Sequence, residues 1–131
     1  MQSASLFIPF EGGALHLKRI YENPDGPPVF LLHGSMENGK IFYSKSLKGY
    51  GPFLAKQGYD VFILDMQGRG ESRPKISKKS LYGQVDVIKT DIPLSLSKIK
   101  EIKGDMPIHA AAHSWGGFFY WLIWHVLTTL L

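Results

Sequence analysis

Three short, nearly unbroken apolar runs constrain this chain more than any other feature: Val29–Leu32, Tyr59–Leu64 and Ile108–Ala112. A run without polar alternation has no solvent face, so each fits a strand covered on both sides. Between them lie stretches with helical spacing. Tyr50–Gln57 reads as a helix closed by Gly58, because glycine tolerates the left-handed turn that ends a helix. Val85, Ile88, Ile92, Leu96, Ile99 and Ile102 recur at three- and four-residue steps and form one apolar stripe. Gly104 ends it. Pro93 interrupts the stripe, since proline lacks an N–H and crowds the preceding turn. Either the helix kinks there, or Asp91 caps a new helix with Pro93 in its first turn. Trp115–Leu130 reads as a further helix.

Ahead of these elements, Leu6–Phe10 and Leu15–Tyr21 flank Gly12 and Gly13, which predicts an antiparallel hairpin. Asn23–Pro28 is loop chemistry. The order is hairpin, then strand, helix, strand, helix, strand, helix. Such alternation predicts an α/β fold: a mostly parallel central sheet, helices on both faces, and an N-terminal antiparallel hairpin. Sites in such sheets lie at the carboxyl ends of the strands. His33, Asp65 and Ser114 each fall at one.

Composition narrows the function classes. The 131 residues, 44% hydrophobic and 20% charged, fit one ordinary globular domain rather than a disordered chain. The absence of cysteine excludes disulfides, thiolate metal sites and a cysteine nucleophile. The net charge of +4 gathers at Lys75, Lys78 and Lys79, and at Lys98, Lys100 and Lys103. These read as a solvated loop and a solvated helix face. No nucleic-acid partner is expected, because the aromatics do not interleave with the lysines. Met1–Phe10 has no basic start or long apolar run, so no signal peptide is expected, and a cytoplasmic location is. Residues 118–131 carry no charged side chain. That run is short of the ~20 apolar residues of a membrane span. A buried helix is preferred, with a membrane-associated protein as an alternative.

The strongest chemical signal is Ala111-Ala112-His113-Ser114-Trp115-Gly116-Gly117. A serine stands between a strand and a helix, with small residues two before and two after. This is a nucleophile elbow: the turn is so tight that larger flanking side chains would collide, and Ala112 and Gly116 keep that space clear. The usual first glycine is here Ala112, still small. The bland alternative is a serine that caps the following helix. The second signal is Leu31-Leu32-His33-Gly34-Ser35. Acyl transfer creates an oxyanion that needs backbone N–H donors. Trp115 and Ser35 are the expected donors, with Gly34 letting the backbone turn into the site. His33 is expected to brace the loop, and His113 to help shape the site while pointing away from Ser114. The third signal is Asp65-Met66-Gln67-Gly68-Arg69-Gly70-Glu71-Ser72. It lacks the lysine-serine pair of a phosphate-cradling loop and does not open directly into a helix. Asp65 and Arg69 are expected to form an ion pair that braces it.

In this order the three segments resemble the α/β-hydrolase superfamily. LLHGSMENGKIFYS and LDMQGRGES are similar to its lipase, lysophospholipase and serine aminopeptidase-like branch. The resemblance covers nearly the whole chain but only the first half of a typical domain. It implies Ser114 as nucleophile, Ser35 and Trp115 as the oxyanion hole, and hydrolysis of an ester, thioester or amide without metal or organic cofactor. The implied partner is a small acyl substrate; Phe42, Tyr43, Tyr50 and Phe53 suggest an apolar pocket for it, and core packing explains them equally well. In this fold the acid and the histidine follow the serine. No Asp or Glu follows Ser114, and the one later histidine is His125. Eleven positions along a helix at about 1.5 Å each place it roughly 16 Å away. Residues 1–131 are therefore expected to be the N-terminal portion of one α/β-hydrolase domain, without cap region or later strands, and weakly active or inactive alone. A non-catalytic interaction module on the same fold is the second alternative.

Overall fold

Two strands, β3 (Pro28–Leu32) and β4 (Asp60–Asp65), are buried at every position, as apolar runs without a solvent face require. They pair in parallel, and β3 pairs in parallel on its other side with β5 (His109–Ala112). Ahead of them, β1 (Gln2–Phe10) and β2 (Gly13–Tyr21) form the expected hairpin, longer at its open end than the sequence indicated. The hairpin joins the sheet through an antiparallel pairing of β2 with β4. The order is β1-β2-β4-β3-β5: three parallel strands extended by two antiparallel ones. The computed structural model describes residues 1–34, 37–75 and 86–113.

Side-chain alternation divides the core into two layers. Leu15, Leu17, Phe30, Leu32, Phe62 and Leu64 point to one face and meet Val87, Ile92 and Ile99. Ile20, Val29, Leu31, Val61 and Ile63 point to the other, against Ala55, Phe42 and Tyr43. Helix α1 (Tyr50–Lys56) covers the second face. Helix α2 (Ile92–Lys103) covers the first. Each large side chain buried this way contributes about 1.5–3 kcal/mol. Truncating a central one, such as the fully buried Phe62, costs about 3–5 kcal/mol.

The Pro93 question resolves in a specific way. A π-helical turn (Val87–Asp91) runs without a break into α2, and the Ile92 amide bonds to Val87 O. The wider turn accommodates a proline in the first turn of α2. Asp91 stands at the helix start, but its carboxylate does not cap the helix. It accepts instead from the Gln67 amide at 2.8 Å and from Gln67 Nε2 at 2.6 Å. Gly104 ends α2 at φ +70°.

Two expectations are corrected. The strand β5 is not buried on both faces: three of its four residues are exposed and one is half-buried. It lies at the edge of the sheet with β3 as its one strand neighbour among the described residues, and its small side chains cover little. Lys103 is not part of a solvated face. Its ammonium turns inward to Asp60 Oδ2 at 3.0 Å and Pro24 O at 2.6 Å. Only 4% of its side chain remains exposed. The third predicted helix, Trp115–Leu130, lies outside the described residues. No helix among the described residues is long and apolar enough to cross a membrane.

Candidate active site

The strand order β4-β3-β5 brings three carboxyl ends together. Leu32 pairs with Leu64 on one side and Ala112 on the other. The residues that follow, His33, Asp65 and His113, therefore emerge side by side. Leu32 O also accepts from the His113 amide at 3.0 Å, which extends the ladder one step beyond β5. Ser35, Ser114, Trp115 and Gly116 lie outside the described residues.

His33 is fully buried. Its Nε2 accepts from the Met66 amide at 3.0 Å, so the proton resides on Nδ1, which donates to Gly34 O at 2.6 Å. Burial pushes its pKa below the ordinary histidine value, against the smaller opposing effects of the Gly34 carbonyl and nearby Asp65. The ring thus stays neutral and spends both nitrogens on backbone groups. It ties the loop after β3 to the loop after β4 and has no free nitrogen with which to deprotonate a nucleophile.

Asp65 anchors the second loop. Its Oδ1 accepts from the Gly39 amide at 2.7 Å, and its Oδ2 from His16 Nδ1 at 2.7 Å and the Glu71 amide at 3.0 Å. Burial alone would raise this carboxyl. The His16 bond and the two amides outweigh that effect and hold it below the ordinary aspartate value. The expected ion pair with Arg69 is absent: Asp65 takes His16 instead. The cause is register. His16 of β2 stands directly opposite Asp65 in the β2–β4 pairing. The loop's turn then presents the Glu71 amide, not the Arg69 side chain, to the carboxylate.

Gly70, one of the two close glycines (Gly68 and Gly70) that lend this loop the look of a phosphate cradle, has another cause. Gly70 sits at φ +51°, and a Cβ there would fall 2.3 Å from the Asp65 carboxylate. A Cβ on Gly39 would meet the same carboxylate at 3.0 Å. Both positions close around an internal acid. Ser72 completes the enclosure by accepting from the His16 amide at 2.8 Å and donating to Asp65 O at 2.5 Å.

Glu37 joins the first loop to the third strand. Its Oε1 accepts from the Gly34 amide at 2.9 Å and from His113 Nδ1 at 2.6 Å. The His113 bond, foremost, lowers the Glu37 pKa. His113, immediately before Ser114, is thus directed at Glu37, with 62% of its side chain exposed. Nothing in the sequence singled out Glu37 or His16. A set of donors for a metal can be drawn from His16, Asp65 and Glu71, whose ligand atoms lie within 4.8 Å of one another. The imidazole, however, faces Asp65 with Nδ1 and Glu71 with Nε2, the latter at 3.2 Å. That arrangement is a hydrogen-bonded clamp about the ring, with the carboxylates on opposite nitrogens.

The chain belongs to the alpha/beta hydrolase fold family, which matches residues 27–124. A proline iminopeptidase of Neisseria meningitidis serogroup A is 29% identical to it over 115 residues, covering 82% of this chain and 33% of that protein. The chain thus spans about a third of the length of such relatives. Among solved structures, the thioesterase domain from the curacin biosynthetic pathway superposes with a TM-score of 0.70 at 23% identity, covering 96% of this chain and 40% of that one. An epoxide hydrolase of Vigna radiata superposes with a TM-score of 0.65 at 20% identity, covering 92% and 33%. These relatives are hydrolases of differing chemistry. The two superpositions establish the fold alone.

Proposed function

We propose that this chain is the nucleophile-bearing part of a serine hydrolase that works through an acyl-enzyme. The observation that carries the reading is the convergence of the carboxyl ends of β3, β4 and β5, where β5 leads into Ala112-His113-Ser114-Trp115-Gly116. In this reading the Ser114 hydroxyl attacks an acyl carbonyl while a base takes its proton. The leaving group departs with a proton, and water then releases the acid. Backbone amides of Ser35 and Trp115 receive the oxyanion. His33, Gly34, Ala112, His113 and Gly116 shape the turn and the neighbouring loop. His33 has no free nitrogen to act as the base, and His113 is engaged with Glu37. The activating acid and histidine are therefore assigned to polypeptide beyond the part of the family fold that this chain spans. The likeness to a proline iminopeptidase favours an amide or ester substrate with an apolar acyl group.

A fluorophosphonate probe tests the nucleophile. A longer polypeptide that continues this chain through the rest of the fold should label, and Ser114→Ala should abolish the labelling. The chain of 131 residues alone should label slowly or not at all. An intact longer form that resists the probe would overturn the assignment of Ser114.

A further inference from the structure

A concave site lies beside the loop that follows β4. It is an open cavity of about 280 Å³ between β2 and the segment that follows the 3₁₀ turn (Gly39–Ile41). Three cations from three pieces of chain line it: Lys18 of β2, Lys40 of the turn and Lys45 beyond it. Tyr43, Ser44 and Glu71 also line it. None of the three ammonium groups has a carboxylate partner among the described residues. Lys18 Nζ lies over the Tyr43 ring, 5.7 Å from its centroid. The one carboxylate among the lining residues, that of Glu71, is directed at His16.

The lysines stand on a tied frame. Gly39 is held by Asp65. Phe42 O accepts from the Gly51 amide at 2.8 Å, and the Ser44 amide donates to Lys48 O at 2.9 Å. Like charges gathered around one cavity without counter-ions repel one another. An anion relieves that repulsion. Burial pushes the Tyr43 hydroxyl up to about 12, so it stays protonated and able to donate.

We propose that Lys18, Lys40 and Lys45, with the hydroxyls beside them, form a binding site for a phosphate monoester. A phosphate monoester carries close to two negative charges and three strong acceptor oxygens, which suits three point cations and neutral hydroxyl donors better than a carboxylate does. The site does not depend on the role of Ser114.

The test has two arms, both on the 131-residue chain. In the first, amide resonances are followed as inorganic phosphate replaces chloride at constant ionic strength. In the second, the chain is floated with phosphatidylcholine vesicles with and without phosphatidic acid. The expected result is saturable binding in at least one arm, weakened about tenfold or more, 1.4 kcal/mol by the usual conversion, in the Lys40→Gln, Lys45→Gln double variant. Both positions are exposed, and the variant's amide spectrum reports its fold. Binding of inorganic phosphate identifies a free phosphate ligand, whereas binding confined to phosphatidic acid vesicles identifies a lipid headgroup. Absence of binding in both arms, an equal response to chloride, or undiminished binding by the double variant would overturn the site.

Discussion

The two ends of β4 carry the same residue and treat it in opposite ways. Asp60 and Asp65 are both buried. Asp60 is met by permanent cations: Arg19 in a two-pronged contact at 2.9 and 2.6 Å, and Lys103 at 3.0 Å. The bond to Asp60, foremost, raises the Arg19 pKa. Asp65 is met by one imidazole and two backbone amides. At the amino end of the strand the acid joins β4 to β2 and α2 and shapes no loop. At the carboxyl end it organises the loops that flank the candidate site. A third buried acid, Asp91, is met among the described residues by the backbone and side-chain amides of Gln67. The series shows one carboxylate serving as rivet, as loop template and as tether, according to what faces it.

Variants at these acids separate the three roles. The largest effect is expected from Asp60→Ala, which leaves the half-buried Arg19 and the largely covered Lys103 ammonium without their partner and should lower stability by about 3 kcal/mol in urea unfolding. Replacing Arg19 and Lys103 by methionine in the same molecule should restore much of that loss. If Asp60→Ala is neutral, the rivet assignment fails.

Next comes Asp91. Burial pushes its carboxyl up to about 6, and the Gln67 bonds only partly offset this. The folded state therefore holds this proton more tightly than the unfolded state. Stability should be greatest below the ordinary aspartate value and fall by roughly 3 kcal/mol as pH rises through about 6. Asp91→Asn should remove that fall, which chemical denaturation at a series of pH values will read.

Asp65→Asn should cost about 1–3 kcal/mol, because an amide cannot accept from both the Gly39 amide and the His16 ring. The sign with pH is opposite to that of Asp91. Its carboxyl lies below the ordinary value, so its contribution is present above that value and fades as pH falls through the folded one. The asparagine variant should show a shallower acid limb. The smallest effect is expected from Lys103→Met, about 1 kcal/mol, because Arg19 still meets Asp60. A loss as large as that of Asp60→Ala would make Lys103, rather than Arg19, the principal partner.

These contacts also mark where sequence reasoning succeeds. The apolar runs at Val29–Leu32 and Tyr59–Leu64 gave two fully buried strands, because strict burial leaves a compositional trace. The hairpin and α1 followed from glycine placement. The elbow and oxyanion candidates, from Ala112 to Gly116 and from His33 to Ser35, rest on adjacent residues and stand as proposals, because Ser35, Ser114, Trp115 and Gly116 lie outside the described residues. What could not be read is whatever depends on pairing across the sheet. His16 meets Asp65 from 49 positions away, and Lys103 meets Asp60 from 43. Sequence proximity pairs Asp65 with Arg69, whereas the register supplies His16. Glu37 escaped notice because an acid in a loop carries no pattern. Of the two readings at Pro93, a new helix starting at Asp91 is the one the structure follows, but the Asp91 carboxylate does not cap it.

The β2–β4 pairing described above has a consequence for how this chain finds its fold. A strand can slip past its neighbour by one residue and still make most of its backbone hydrogen bonds, but every side chain then changes face. Here two polar locks, Arg19 with Asp60 and His16 with Asp65, bracket the same pair of strands. A slip would break both together, while also turning Leu15 and Leu17 out of their layer. The hairpin is thereby indexed to the parallel strands at two separate points. The carboxyl ends of β3 and β4 inherit their alignment from a check made on their neighbour.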